Sequence, residues 1–284
     1  MLRSVVPMAL STQEILQIAL DMAGFAEVPG DTAVYHPGEG LKRALVGIDL
    51  DVPELWIAKQ LGFDVAISHH PKGGASTLNF PDVLNRHIEM MVAHGVPRDV
   101  AEEAMRDRIF DARCHAQIAN YDHAPSFARL LDLPYMNVHL PLDEVGRRRM
   151  VQVVDALGPD ARVQDLVDAF YEAFGEFRNA DTRIDVRVGS PSNPLGKVVV
   201  AHACGTNGGY PVAKAYFEHG VDTVVYIHCA GPDSRRLQEE FEGRGKNLVV
   251  TGHIASDALG INPFIAELEK RGLEVRRVSG VIPP

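Results

Sequence analysis

What this chain lacks narrows its function before any motif is found. It has three cysteines, Cys114, Cys204 and Cys229, and no Cys-x-x-Cys, which excludes a zinc ribbon and a thioredoxin-like redox pair. An odd number of widely spaced thiols fits a reducing cytoplasm rather than a disulfide framework. Gly-x-Ser-x-Gly is missing, so no nucleophile elbow of a serine hydrolase is present. Gly205 to Gly209 is followed by no Gly-Lys-Ser/Thr and reads as a tight strand-to-helix turn, not a phosphate loop. No apolar run approaches the roughly 20 residues that span a bilayer. Met1 to Leu10 has neither the apolar core nor the cleavage pattern of a signal peptide. Basic charge is also short. Lys and Arg number 28 against 38 Asp and Glu, for a net −10. That balance argues against a general partner among nucleic acids or anionic membranes, which need clustered cations. The densest basic run, Arg147-Arg148-Arg149, is read as a solvated helix face or at most an anion contact.

What is present is an ordinary globular composition, 46% hydrophobic and 23% charged over 284 residues. The length allows one large or two ordinary domains. Ser11-Thr12-Gln13-Glu14 reads as a capping box, followed by Ile15, Ile18, Ala19 and Met22 at helical spacing. Residues 25–40, rich in Gly and Pro, are expected to be irregular. Strands are expected at 44–48, 65–67, 135–139, 184–188, 197–201, 222–228 and 248–250. Helices are expected between them, including 150–157, 163–174 and a last one opening at Pro263. Strands alternating with helices predict an α/β fold of two similar α/β domains, with mixed sheets and helices outside. The loop from Gly189 to Gly196 is the best seam. It predicts one domain from 1–124 plus 190–284, carrying the histidine motifs, and a smaller portion at 125–189 completing the site.

Two segments echo each other, Lys42 to His70 and Lys197 to Cys229. Each has a basic residue, an apolar strand, and a helix containing Ala-Lys. Each continues with Gly-Phe-Asp or Gly-Val-Asp, a second apolar strand, and a histidine at its end. Asp64 to His70 and Asp222 to His228 both span six steps, which makes His228 the counterpart of His70.

The chemistry gathers around His69-His70-Pro71, at the end of the strand Val65-Ala66-Ile67. Ligands bind beyond the C-terminal ends of strands in open α/β sheets. Adjacent imidazoles reach a common point only after the strand has given way to a loop. Two histidine–carboxylate pairs share a spacing of four, His139 with Asp143 and His253 with Asp257. At a helix start such residues lie on one face. Three or four imidazoles and two carboxylates exceed the needs of one closed zinc site and suit two divalent ions. His139 is also open to a role in positioning Asp143. His202, with His36, His87, His94, His115, His123 and His219, has no such partner pattern and is read as surface or structural.

These motifs resemble those of the NIF3-like family, also called DUF34 and described as GTP cyclohydrolase type 2 homologues. The likeness rests on Asp64 through Ile67-Ser68-His69-His70-Pro71, on Val138-His139-Leu140-Pro141-Leu142-Asp143, and on Gly252-His253-Ile254-Ala255-Ser256-Asp257. It implies metal ligands at His69, His70, Asp143, His253 and Asp257, with two divalent ions (Fe, Zn or Mn). It implies a cytoplasmic hydrolase-type enzyme acting on a small nucleotide-like, heterocyclic or phosphoester substrate through a metal-bridging water. His139 and His228 are the candidate proton relays. It also implies a homo-oligomer, a toroidal hexamer. The alternative is a non-catalytic metal-binding or scaffold protein of the same family. The sequence departs from the family at Asp257, where glutamate is usual, and at Leu140-Pro141, where Thr-Asn is usual.

Overall fold

The computed structural model describes residues 9–284; residues 1–8, on which most of the leader reading falls, lie outside them. In chain order the elements begin with α1 (Thr12–Ala23), β1 (Ala33–His36), β2 (Arg43–Gly47), α2 (Val52–Gln60) and β3 (Val65–Ser68). Next come α3 (Gly74–Leu78), α4 (Phe80–Val83), α5 (Asn85–Ala93), α6 (Arg98–Ile118), α7 (His123–Leu131), β4 (Tyr135–Asn137) and α8 (Leu140–Asp155). Then follow α9 (Val163–Ala173), α10 (Gly175–Asn179), β5 (Asp185–Val188), β6 (Val198–Val200), α11 (Gly209–Glu218) and β7 (Thr223–Tyr226). The last are α12 (Gly231–Phe241), β8 (Asn247–Val250), α13 (His253–Lys270) and β9 (Glu274–Val278).

The chain divides into two compact units. The first is Met1–Phe80, Ala116–Leu142 and Ile261–Val281; the second is Pro81–His115, Asp143–Gly260 and Ile282–Pro284. This differs from the division expected at 125–189, because strand pairing overrides proximity in sequence. Strand β5 pairs with β8, and β9 pairs with β2, so each strand joins the unit of its partner.

The first unit holds a sheet ordered β1-β4-β3-β2-β9. Only β1 is antiparallel to its neighbour; the other pairings are parallel. Ile15, Ala19, Val46, Ile67, Met136, Phe264 and Leu268 fill its core on one side, and Leu55, Ala58, Ala66, Ala128 and Tyr135 form a second cluster. The four residues of β3 are all buried, as a strand covered on both faces must be. The capping box at Ser11 forms, with the Glu14 backbone N–H donating to the Ser11 hydroxyl at 3.1 Å and the Ser11 N–H to the Glu14 carboxylate at 2.7 Å.

The second unit holds a sheet ordered β5-β8-β7-β6, again with one antiparallel edge strand, β5. Its core is aromatic where the first is mainly aliphatic. Phe170, Phe174 and Phe177 pack with centroids 5.7–6.1 Å apart beside Val225, Val249 and Leu259.

The internal echo is therefore structural. β2–α2–β3 and β6–α11–β7 are corresponding parallel units, which need a crossover helix. Both crossover helices are followed by a left-handed glycine, Gly62 at φ +72° and Gly220 at φ +88°, a conformation only glycine adopts readily. Asp64 then accepts from the backbone N–H groups of Lys42 and Arg43 at 2.9 Å, and Asp222 from that of Lys197 at 2.9 Å. The repeated Gly-x-Asp thus ties each second strand to the start of the first.

Three expectations are corrected. β1 lies inside the stretch read as irregular, because a four-residue strand among Gly and Pro carries no periodic signal. α8 starts at Leu140 and not near Met150; Pro141 occupies its first turn, where the missing N–H has no partner to lose. α13 starts at His253, and Pro263 lies inside it rather than opening it. A proline there leaves the carbonyl four residues back, that of Leu259, without its helical donor. The Arg149 guanidinium supplies one, donating to the Leu259 oxygen at 2.6 Å.

Candidate metal centre

In the first unit the site begins where β3 ends. The ladder continues briefly past the strand, with the His69 N–H donating to Gly47 O at 2.9 Å and the His70 N–H to Ile48 O at 3.0 Å. His69 and His70 therefore sit on a fixed backbone yet outside the pleat. Their rings stand 5.2 Å apart, and the His139 ring lies 4.9 Å from the first and 5.6 Å from the second. One ligand nitrogen from each of the three falls within 4.8 Å of the others.

The partners of these rings decide what they can do. His69 Nδ1 is 2.9 Å from Val138 O, His70 Nδ1 is 3.1 Å from Asp49 Oδ1, and His139 Nδ1 is 2.7 Å from Asp31 Oδ2. A carbonyl or an ionised carboxylate only accepts, so each Nδ1 carries the hydrogen. In the neutral ring the lone pair then sits on Nε2. This is how ligating histidines are oriented, with the other ring nitrogen donating to an oxygen. Asp31 is fully buried, and Thr32 Oγ1 accepts from the His139 N–H at 3.1 Å. Asp49 also receives Lys72 Nζ at 2.6 Å. The hydrogen bond from His70, and then Lys72, hold its carboxyl well below the usual range despite partial burial.

In the second unit the candidate ligands come from the starts of two helices. Asp143 lies in the first turn of α8, and His253 and Asp257 stand one turn apart on α13. His253 Nε2 is 3.4 Å from Asp257 Oδ2, and carboxylate oxygens of Asp143 and Asp257 lie within 4.8 Å of each other. Both carboxylates are buried. Two buried carboxylates this close repel unless a proton or a cation lies with them.

Two further side chains join this group. His202, read from the sequence as surface or structural, follows β6 and brings Nε2 to 3.7 Å from Asp143 Oδ1; it is buried, at 4% exposed. His228 packs its ring 4.6 Å from that of His253. Asn207 fixes the proton of His228. The Gly209 N–H donates to Asn207 Oδ1 at 2.8 Å, which orients the amide. Its Nδ2 must then donate to His228 Nδ1, at 2.6 Å. His228 thus carries its hydrogen on Nε2, the reverse of the three imidazoles of the first unit.

Asp31, Asp49, His202 and Asn207 were not picked out from the sequence. Asp49 carried a signal, since it ends a strand one βαβ step before His70. Asp31 carried none, being 108 residues from its partner.

No family model matches the chain, and no curated protein does. Among solved structures, a NIF3 superfamily protein from Sphaerobacter thermophilus is 53% identical, covering 96% of this chain and 99% of that one, with a TM-score of 0.93. The chain belongs to the NIF3 superfamily. The fold extends to reduced HcgD from Methanocaldococcus jannaschii, at TM-score 0.55 and 14% identity over 95% of this chain and 98% of that one. It also extends to the protein ybgI, described as of unknown function, at TM-score 0.53 and 15% identity over 97% of this chain and 99% of that one. For this NIF3 protein the donor chemistry fits divalent cations: imidazoles held as ligand tautomers, and buried carboxylates that could hold a metal ion. No described helix is long and apolar enough to cross a membrane.

Proposed function

We propose that this NIF3 protein is a divalent-metal-dependent hydrolase acting on a small nucleotide-like, heterocyclic or phosphoester substrate. His69, His70, Asp143, His253 and Asp257 serve as ligands for two ions (Fe, Zn or Mn). The observation that supports this best is the common anchoring of His69, His70 and His139 through Nδ1 to oxygen acceptors. For His69 and His70 this puts the lone pair on Nε2, the arrangement of a ligating histidine whose other ring nitrogen donates to an oxygen. Divalent ions would supply Lewis acidity and a more acidic water at neutral pH.

The protein's own groups do the rest. Asp31 holds the His139 ring and keeps its hydrogen on Nδ1, so that Nε2 is a base or a ligand. His228, with hydrogen on Nε2, is a hydrogen-bond donor, suited to stabilising negative charge that develops on the substrate. Asp257 is one methylene shorter than glutamate and keeps its oxygen close to helix α13, within reach of His253. The cytoplasmic location and homo-oligomer implied by the family belong to the same proposal.

Metal analysis of purified protein, with His70→Ala and His253→Ala beside wild type, tests the site. The expected result is metal loss in both variants with unchanged folding. Full occupancy in both would sink it. Hydrolysis of a panel of nucleotides and phosphoesters by the metal-loaded protein tests the reaction, and inactivity with Fe, Zn and Mn would remove the hydrolase assignment.

A further inference from the structure

The arginine run read as a solvated helix face does something else in the fold. Arg149 turns to α13, as described. Arg147 and Arg148 turn to Glu144, which is buried and also meets Arg86 from α5. Arg147 donates through Nε to Oε2 and through Nη2 to Oε1, both at 2.8 Å. Arg148 Nε donates to Oε1 at 2.8 Å, and Arg86 Nη2 to Oε2 at 3.3 Å. Arg86 Nε donates in addition to Ala203 O at 2.9 Å. Ala203 stands at φ +60°, a conformation that costs an L-residue energy and persists only where its surroundings impose it.

One guanidinium, bound through two nitrogens, neutralises one carboxylate. Here three converge on one. Counting Glu144 alone, the cluster carries an excess of two positive charges, and counting Asp143 next to it, an excess of one. Like charges held together without compensation raise the energy of the fold, so a structural role for Glu144 explains one arginine and not three. The cluster is not sealed. The side chains of Arg86 and Arg148 are 36% and 48% exposed, and that of Arg147 is 23% exposed. Glu144 therefore acts as an internal counter-ion that fixes three planar donors before any ligand arrives. Planar forks of N–H donors match the oxygens of a phosphoryl group.

We propose that Arg86, Arg147 and Arg148, set by Glu144, form the site that binds a phosphoryl group of the substrate. Asp143, one residue away on α8, is a ligand in the function proposed above. This inference rests on that reading for the identity of the anion as substrate, but not for anion binding itself. It narrows the substrate to one bearing a phosphate.

Isothermal titration of metal-free, chelator-treated protein tests it, with inorganic phosphate and a nucleoside monophosphate as probes. Wild type is expected to bind both, the monophosphate at least tenfold tighter. Arg148→Ala is expected to weaken both by tenfold or more, with the thermal unfolding midpoint and metal content unchanged, and Arg148→Lys to recover part of the loss. Undiminished binding in Arg148→Ala, or phosphate binding that appears only after metal is restored, would overturn the site. Equal affinity for the two probes would overturn its assignment to substrate. If Arg148→Ala loses phosphate while His70→Ala and His253→Ala both keep full metal, the anion site stands and the metal reading falls.

Discussion

The two units solve one folding problem twice and then put different chemistry on the answer. Both sheets place a parallel set, four strands in the first and three in the second, beside one antiparallel edge strand, with the same order through the echoed segments. Where β3 ends in His69-His70, β7 ends in Ile227-His228, so the second unit has an apolar, buried residue where the first has an imidazole. Where β4 is followed by His139, β8 is followed by His253. The first unit is thus nitrogen-rich, with three rings fixed by oxygen acceptors. The second pairs one such ring position with two buried carboxylates and a histidine of opposite tautomer. The repeated scaffold sets the positions; the residue types at the strand ends set softness and charge. A duplicated fold can in this way carry two unlike sets of donor groups without two inventions.

The comparison can be broken first in the cores. Phe170→Ala removes a fully buried ring from the aromatic cluster of the second unit and is expected to cost about 3–5 kcal/mol in urea unfolding. A cost under about 1 kcal/mol would show that the cluster does not carry that core. The sites come next. His69→Ala is expected to weaken metal binding more than ~100-fold, beyond the 10–100-fold typical of groups that only orient ligands. His228→Ala, at the corresponding strand end, is expected to change it less than ~10-fold. Equal losses would erase the distinction between ligand and donor.

A third test is the pH response of the second unit. His87 is fully buried, its Nε2 donates to Thr206 O at 3.0 Å, and among the described residues its Nδ1 has no hydrogen-bond partner. Burial pushes its pKa down from 6.5 to about 3. The folded state therefore resists a proton that the unfolded state takes up. Stability is full above pH 6.5 and is lost as pH falls from there toward about 3, by up to about 1.4 kcal/mol per pH unit. His87→Gln should flatten the unfolding midpoint over that range. An unchanged slope would place the acid sensitivity elsewhere. The smallest expected effect is the matched pair Asp64→Ala and Asp222→Ala. Each loses its backbone anchors at a cost of about 1–2 kcal/mol, and a large inequality would show that the echo is only in sequence.

Much of this was legible in the residues. β2–α2–β3 was visible because Pro53 and Gly62 bracket its helix and the strands are unbroken apolar runs. The His-x3-Asp pairs were visible because a helix repeats near four. The helix starts at Leu140 and His253 were hidden by prolines, one tolerated by position and one by the arginine that serves its orphaned carbonyl. The fixing of His139 by Asp31, and of His228 by Asn207, was illegible, because those pairs are made by tertiary folding and share no period. His202 was set aside for the same reason, as its carboxylate lies on a helix far along the chain.

The pairing of β2 with β9 has a consequence for synthesis. Residues 274–278 are made long after β2, yet they cover the edge of that strand, as the contact between Asp49 and Ser279 across 230 residues records. Until then β2 is an open parallel edge, and the core of the first unit lacks Phe264, Ile265 and Leu268. The second unit, complete but for its last three residues at Gly260, can form on the emerging chain. The unit bearing the two adjacent histidines must wait for α13 and β9. Translation stalled before β9 would yield the second unit folded and β2 still an open edge.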